Sequence, residues 1–330
     1  MKNTTKAVLF RYLIALMVVL FMTFVLRNNL KNSQVNVFNT ALIFFFCVAG
    51  QYVMLGLGGM LGMCSITFLG LGAFLCAYLN TRCAIPVIPS IILGTVASGL
   101  LALFLGLLLL KLDGPYFVFG TIGVVYIGTS IFQNFTAFTG GPNGISGIGK
   151  LSLLGYTFST FKSWVPLLGT LVMLLLFLLY RIKNTSFGRG LMAVRDDETA
   201  AFSLGINVYR TKVIAFAVAG LLAGFGGGLY AVHNGTISAS LFTFSTQTKF
   251  IIMLMLGGVM SPIGAFCGTI LVNFLPEIAR FADSYLNLLY GCMIIVLMIF
   301  MPMGLAGVQK ELATRIRTAS QKRIAAKKGA

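Results

Sequence analysis

Long apolar blocks alternate along the chain with short polar punctuation. Blocks of about 20 mainly apolar residues, enough to cross a hydrocarbon core, run at roughly 8–26, 38–55, 57–79, 87–110, 115–134, 163–181, 211–232, 246–261, 263–282 and 285–305. This pattern predicts an all-α, polytopic transmembrane helical bundle of about ten spans. Two blocks are weaker: 57–79 is rich in glycine and open to a break, and 246–261 is short, with the turn Ser261-Pro262-Ile263-Gly264 after it. Three positive charges precede the first block, as in a signal peptide, but no small-residue cleavage site follows Val25-Leu26-Arg27-Asn28-Asn29. It reads as a retained span. Residues 1–308 then form the membrane domain and 309–330 a basic cytoplasmic tail.

Composition strengthens this reading. Of 330 residues, 58% are hydrophobic and 9% charged, whereas a soluble domain carries about a quarter charged residues. The net charge of +17 does not point to nucleic acid, because the basic residues sit between apolar blocks and in the tail. With ten spans and both termini in the cytoplasm, seventeen of the 24 Lys and Arg fall inside, as the positive-inside rule requires. The six cysteines lie in or beside apolar stretches and form no CxxC or Cys/His cluster, so neither disulfide nor metal is expected. No phosphate-binding GxxxxGK[ST] loop or nucleophile–base set occurs, so no catalytic residue and no cofactor is assigned to this chain.

Small residues recur every fourth position: Gly220, Gly224 and Gly228, a neighbouring row of Ala215, Ala219, Ala223 and Gly227, and Gly94, Ser98, Ala102 and Gly106. That spacing stacks them on one helix face, where backbones approach closely in lipid.

The long inside loop at 182–210 carries three of the seven acidic residues, Asp196, Asp197 and Glu198, ahead of a helix-forming run that stops at Gly205. Acids suit a helix N-terminus and glycine the position past its end. A short exposed helix at 196–204 follows.

The run Gly188-Arg189-Gly190-Leu191-Met192-Ala193-Val194-Arg195-Asp196-Asp197-Glu198-Thr199-Ala200-Ala201-Phe202-Ser203-Leu204-Gly205 resembles the coupling loop of ABC-importer permeases of the branched-chain amino-acid (LivM-like) family. Further matches keep the family order: Gly114-Pro115-Tyr116-Phe117, Thr139-Gly140-Gly141-Pro142-Asn143-Gly144-Ile145, Gly226-Gly227-Gly228-Leu229-Tyr230-Ala231, Gly257-Gly258-Val259, Leu275-Pro276-Glu277 and Tyr290-Gly291. The resemblance covers roughly residues 38–308. It implies a permease in a bacterial-type inner membrane, paired with a second permease subunit as a homo- or heterodimer. Two cytoplasmic ATPase subunits would bind ATP and Mg, and an extracytoplasmic binding protein would deliver the solute. Gly188, Arg189, Arg195, Asp196, Asp197, Glu198, Thr199, Ala200, Ala201, Leu204 and Gly205 would then couple to the ATPase.

Candidates for the solute path come from polar residues at membrane depth, which face protein or water. Tyr126, Thr129, Ser130 and Gln133 share one helix face, and either line the path or bond neighbouring helices. Thr139, Gly140, Gly141 and Asn143 form a turn beyond that span, either solute-facing or structural. In the glycine-rich block, Met60, Gly62 and Ser65 stand where the family has Gln, Ser and His; Ser65 and Thr67 are its remaining polar candidates. The resemblance favours branched-chain amino acids, with other amino acids, amides or urea, sugars or nucleosides as alternatives. An ion-coupled secondary transporter would need intramembrane acids, and apart from Glu277 near an interface the spans hold almost none.

Overall fold

The computed structural model describes residues 32–112, 114–153 and 156–278. The expected first and tenth spans and the basic tail lie outside them. Helices occupy the eight blocks between: α1 Asn32–Gln51, α2 Ser65–Thr81, α3 Val87–Leu109, α4 Pro115–Asn134, α6 Phe161–Asn184, α9 Val208–Asn234, α10 Phe244–Gly257 and α11 Pro262–Ile278. Short helices fill the connections: α5 Thr136–Thr139, α7 Ser186–Asp196 and α8 Glu198–Ser203. Among the described residues, five helices are long and apolar enough to cross a membrane: Asn32–Leu57, Val87–Leu109, Pro115–Asn134, Phe161–Asn184 and Val208–Asn234.

Glycine and proline set several boundaries. Gly114 takes φ +52° and hands over to Pro115 at the first turn of α4, a position where the missing N–H costs nothing. Gly235, at φ +69°, closes α9 in the left-handed conformation that suits a helix C-terminus.

The small-residue rows bring α9 against its neighbours. A Cβ on Gly220 would meet Ala102, and one on Gly224 would meet Ser98, both on α3; one on Gly228 would come 3.1 Å from Ile91. The adjoining row faces elsewhere: a Cβ on Gly50 of α1 would lie 2.8 Å from the Ala219 oxygen, and one on Gly227 would meet the Leu69 oxygen of α2. Gly72 of α2 and Gly94 of α3 extend the same contact, a Cβ on Gly94 coming 2.7 Å from the Gly72 oxygen. α9 is therefore the centre of the bundle, with α1, α2 and α3 packed on it backbone to backbone. By contrast α3 and α4 turn Ile92, Leu100, Phe104, Phe119 and Ile127 outward, as a surface meeting lipid or another apolar subunit does.

The glycine-rich block is broken. After Gln51 the chain runs through a π-helical turn, Tyr52–Leu57, then leaves helical structure until α2 starts at Ser65. Two buried glutamines hold the break. Gln51 Nε2 donates to the Gly62 carbonyl (3.0 Å) and to Ser65 Oγ (2.9 Å), while Gln247 of α10 accepts from the Ile66 amide (2.8 Å).

Four two-residue strands were not expected. β1 Ile145–Ser146 pairs antiparallel with β4 Thr236–Ile237, and β2 Ser152–Leu153 with β3 Tyr156–Thr157. The first pair ties the loop after α4 to the end of α9. The α7–α8 pair lies at the opposite end of α9, where that helix begins.

Candidate functional site

Asp197 organises the helix pair. Its Oδ1 accepts from the Thr199 amide (2.8 Å) and the Ala200 amide (2.9 Å), which caps α8. Gly205 follows the helix at φ +82°. The start and stop signals in the sequence mark this helix well, except that Asp196 ends α7 instead of beginning α8. α7 itself was not anticipated within the loop. Thr185 caps it by accepting from Gly188 N (3.2 Å), and Arg189 Nη1 donates to the Asn184 carbonyl (2.6 Å). Gly188 packs so closely on the Ile182 carbonyl that a Cβ has no room.

Of the side chains on α8, Ala201 is buried and anchors it, and Glu198 pairs with Lys212 of α9 at 2.5 Å. Phe202 and Leu204 are 73% and 79% exposed. Both are large apolar side chains held out on a polar helix pair. Phe202 escaped the sequence reading, because nothing local distinguishes an outward Phe from a core one. Below the pair lies a cavity of about 590 Å³ lined by residues that include Gly58, Gly59, Phe117, Arg195, Glu198 and Tyr209. The helix pair and the broken span both line it, and Arg195 joins them by donating from Nη1 to the Gly56 carbonyl (2.7 Å).

The expected path residues divide. Thr129 Oγ1 donates to the Phe242 carbonyl at 2.7 Å, a bond from α4 to the connection between α9 and α10. Tyr126, Ser130 and Gln133 point out of the described bundle, with Tyr126 stacked on Phe244 at 5.9 Å between ring centres. Ser65 and Thr67 are buried, Ser65 held by Gln51 and Thr67 Oγ1 donating to Val124 O at 3.4 Å. Thr139 is buried and donates to Phe132 O (2.8 Å). Gly140 and Gly141 take φ of +73° and +63° in a tight turn, leaving Asn143 exposed. Gln51 and Gln247 were missed; a lone glutamine inside each apolar block was the available signal.

Comparison with known proteins bears on this arrangement. A family model described as the branched-chain amino acid transport system permease component matches residues 33–301. The chain belongs to this permease family. One relative, the high-affinity branched-chain amino acid transport system permease LivM of Salmonella typhimurium, is 30% identical over 83% of this chain and 70% of its own. LivM of Escherichia coli is 34% identical over 41% of this chain and 32% of its own. The nucleoside ABC transporter permease NupC of Lactococcus lactis is 32% identical over 38% of this chain and 43% of its own. No solved structure matches. As a member of the permease family, the chain is a multi-pass inner-membrane transport subunit.

Gln51 of the permease supports the break through both of its bonds. Gln51→Leu removes both bonds to the break and strands the buried Ser65 hydroxyl and Gly62 carbonyl. Each net bond is worth about 1 kcal/mol, and a stranded buried group costs about 1–3 kcal/mol. The expected result is a clear fall in the melting temperature of the detergent-solubilised protein, while Gln133→Leu on the exposed face leaves it unchanged.

Proposed function

We propose that the chain is one membrane subunit of an ATP-driven importer for branched-chain amino acids. Two permease subunits pair in the membrane, and each presents α8 to a cytoplasmic ATPase that binds ATP and Mg. An extracytoplasmic binding protein supplies the solute. The reading rests above all on one observation. The segment that resembles a coupling loop folds as a capped helix with Phe202 and Leu204 exposed beside a carboxylate-rich face. Those apolar side chains fit a groove, and Asp196, Asp197 and Glu198 suit a basic rim. In this arrangement the α7–α8 end of the bundle, both termini and the basic tail are cytoplasmic. About ten spans complete the fold. The outward polar face of Tyr126, Ser130 and Gln133 borders the solute path where the two subunits meet.

Co-purification tests the reading. The tagged chain is solubilised in mild detergent from its native host, and its companions are identified by mass. An ATPase subunit is expected, together with its loss when residues 195–205 are altered. Recovery of the chain alone, with vesicle uptake that follows an ion gradient and ignores ATP, overturns the proposal. The match to a nucleoside permease favours a second solute class, so uptake of leucine and of guanosine is compared in the same vesicles. Gln133→Leu is expected to change the rate or selectivity of that uptake; indifference removes this face from the path.

A further inference from the structure

The helix pair and the broken span meet through two side chains of α7. A Cβ on Gly58 would come 3.1 Å from Leu191 Cδ1, and one on Gly59 would come 2.8 Å from Arg195 Cγ. Both glycines belong to the irregular stretch between the π-helical turn and α2. Arg195 goes further: its Nη1 donates to the Gly56 carbonyl at 2.7 Å and touches the Met260 sulfur in the turn between α10 and α11. Gly56 lies where the helix ends, and its carbonyl is among those a helix end leaves without an intrahelical partner. A charged donor on a half-buried carbonyl makes a bond about twice as strong as a neutral one. One residue of the helix pair thus grips the chain at its break.

On the other side of the break, the two glutamines hold it incompletely. Gln51 Oε1 and Gln247 Nε2 are both buried and meet no partner among the described residues. An unpaired buried polar atom is unfavourable, so these two atoms gain from any bond that a moved segment brings to them. A shifted Gly58–Cys64 segment could satisfy them with its own amides and carbonyls. The break therefore has a grip at one side, spare hydrogen-bonding groups at the other and four glycines, at 56, 58, 59 and 62, to absorb the backbone change.

We propose that Arg195 is the positioning residue that passes a displacement of α7–α8 into the broken span, switching the Gly58–Cys64 segment between two arrangements. This rests on the ATPase-coupling reading above. In this role Arg195 acts inward, on Gly56, whereas Phe202 and Leu204 act outward, on the partner.

The test follows a reporter inside the break. Met60, buried at the break, is replaced by cysteine in the full complex purified from its host. Alkylation of residue 60 by N-ethylmaleimide is read by peptide mass, with and without Mg–ATP and vanadate, per complex that retains its ATPase. Nucleotide is expected to change the labelling rate at least fivefold. Arg195→Met is expected to reduce that change to less than twofold, and Arg195→Lys, which keeps a charged donor, to restore most of it. An Arg195→Met complex that responds like its parent overturns the proposal. So does a parent complex that holds its ATPase but shows no nucleotide response at residue 60. Absence of any ATPase from the wild-type preparation instead defeats the coupling reading itself, and this inference falls with it.

Discussion

Replacing Gly224 by leucine will cost the protein much of its stability in detergent. Any Cβ at that position runs into the Ser98 side chain of α3. The crowding continues around the same spot, since a Cβ on Gly72 of α2 would come 2.7 Å from Gly224 Cα. A leucine there already collides with Ser98 at its Cβ, so α9 and α3 must part. Overpacking by a few methylenes costs about 1–3 kcal/mol, and separating two backbones sits at the top of that range. The expected fall in melting temperature is roughly 3–5 °C at that cost for a chain of this length. Gly123→Ala is the matched control, because nothing lies within 4 Å of a Cβ there. An unchanged melting profile for Gly224→Leu would show that α9 does not pack on α3 as described.

The second large effect is on transport and not on stability. Asp197→Lys with Glu198→Lys is expected to lower ATP-driven uptake at least tenfold while the chain still reaches the membrane in normal amount. Losing the Asp197 cap costs about 1 kcal/mol of local helix stability. The exposed Glu198–Lys212 pair is worth less than about 1 kcal/mol. Neither threatens a bundle centred on α9. At a docking face, however, two reversed charges set against a basic partner cost several kcal/mol. Uptake assays beside a membrane-fraction blot separate the two effects. Normal uptake in the double variant would remove α8 from the coupling role.

The sequence announces features that local physics decides. Asp197 three residues ahead of Ala200, with Gly205 past the end, describes a capped helix without reference to anything else in the chain. Glycines every fourth residue likewise mark the faces of α9 and α3, because close approach excludes side chains wherever the partner lies. Features that depend on distant residues stay hidden. Thr129 reads as either a path residue or a structural bond until Phe242, 113 positions away, is seen to accept its hydroxyl. Arg195 reads as one coupling residue among eleven until the Gly56 carbonyl, 139 positions away, is placed beneath it. The glutamines belong to the same class: Gln51 reaches Ser65 only because the intervening chain breaks, and glycine content alone gives no position for the break. Phe202 is the extreme case, since its exposure is a property of what α8 fails to touch.

The π-helical turn at Tyr52–Leu57 has a bearing on how the family can vary in length. Such a turn holds about one residue more than the α-helical turn it replaces, and here it forms the last turn of the helix that α1 begins. A homologue that lacks that residue ends the same helix in a regular turn of 3.6 residues, and its last carbonyls leave the axis at other angles. The carbonyl equivalent to Gly56 is then turned away from the arginine at position 195, which is left with nothing to hold. A single codon's worth of length therefore decides whether the grip exists, and loss of that residue and loss of that arginine should travel together.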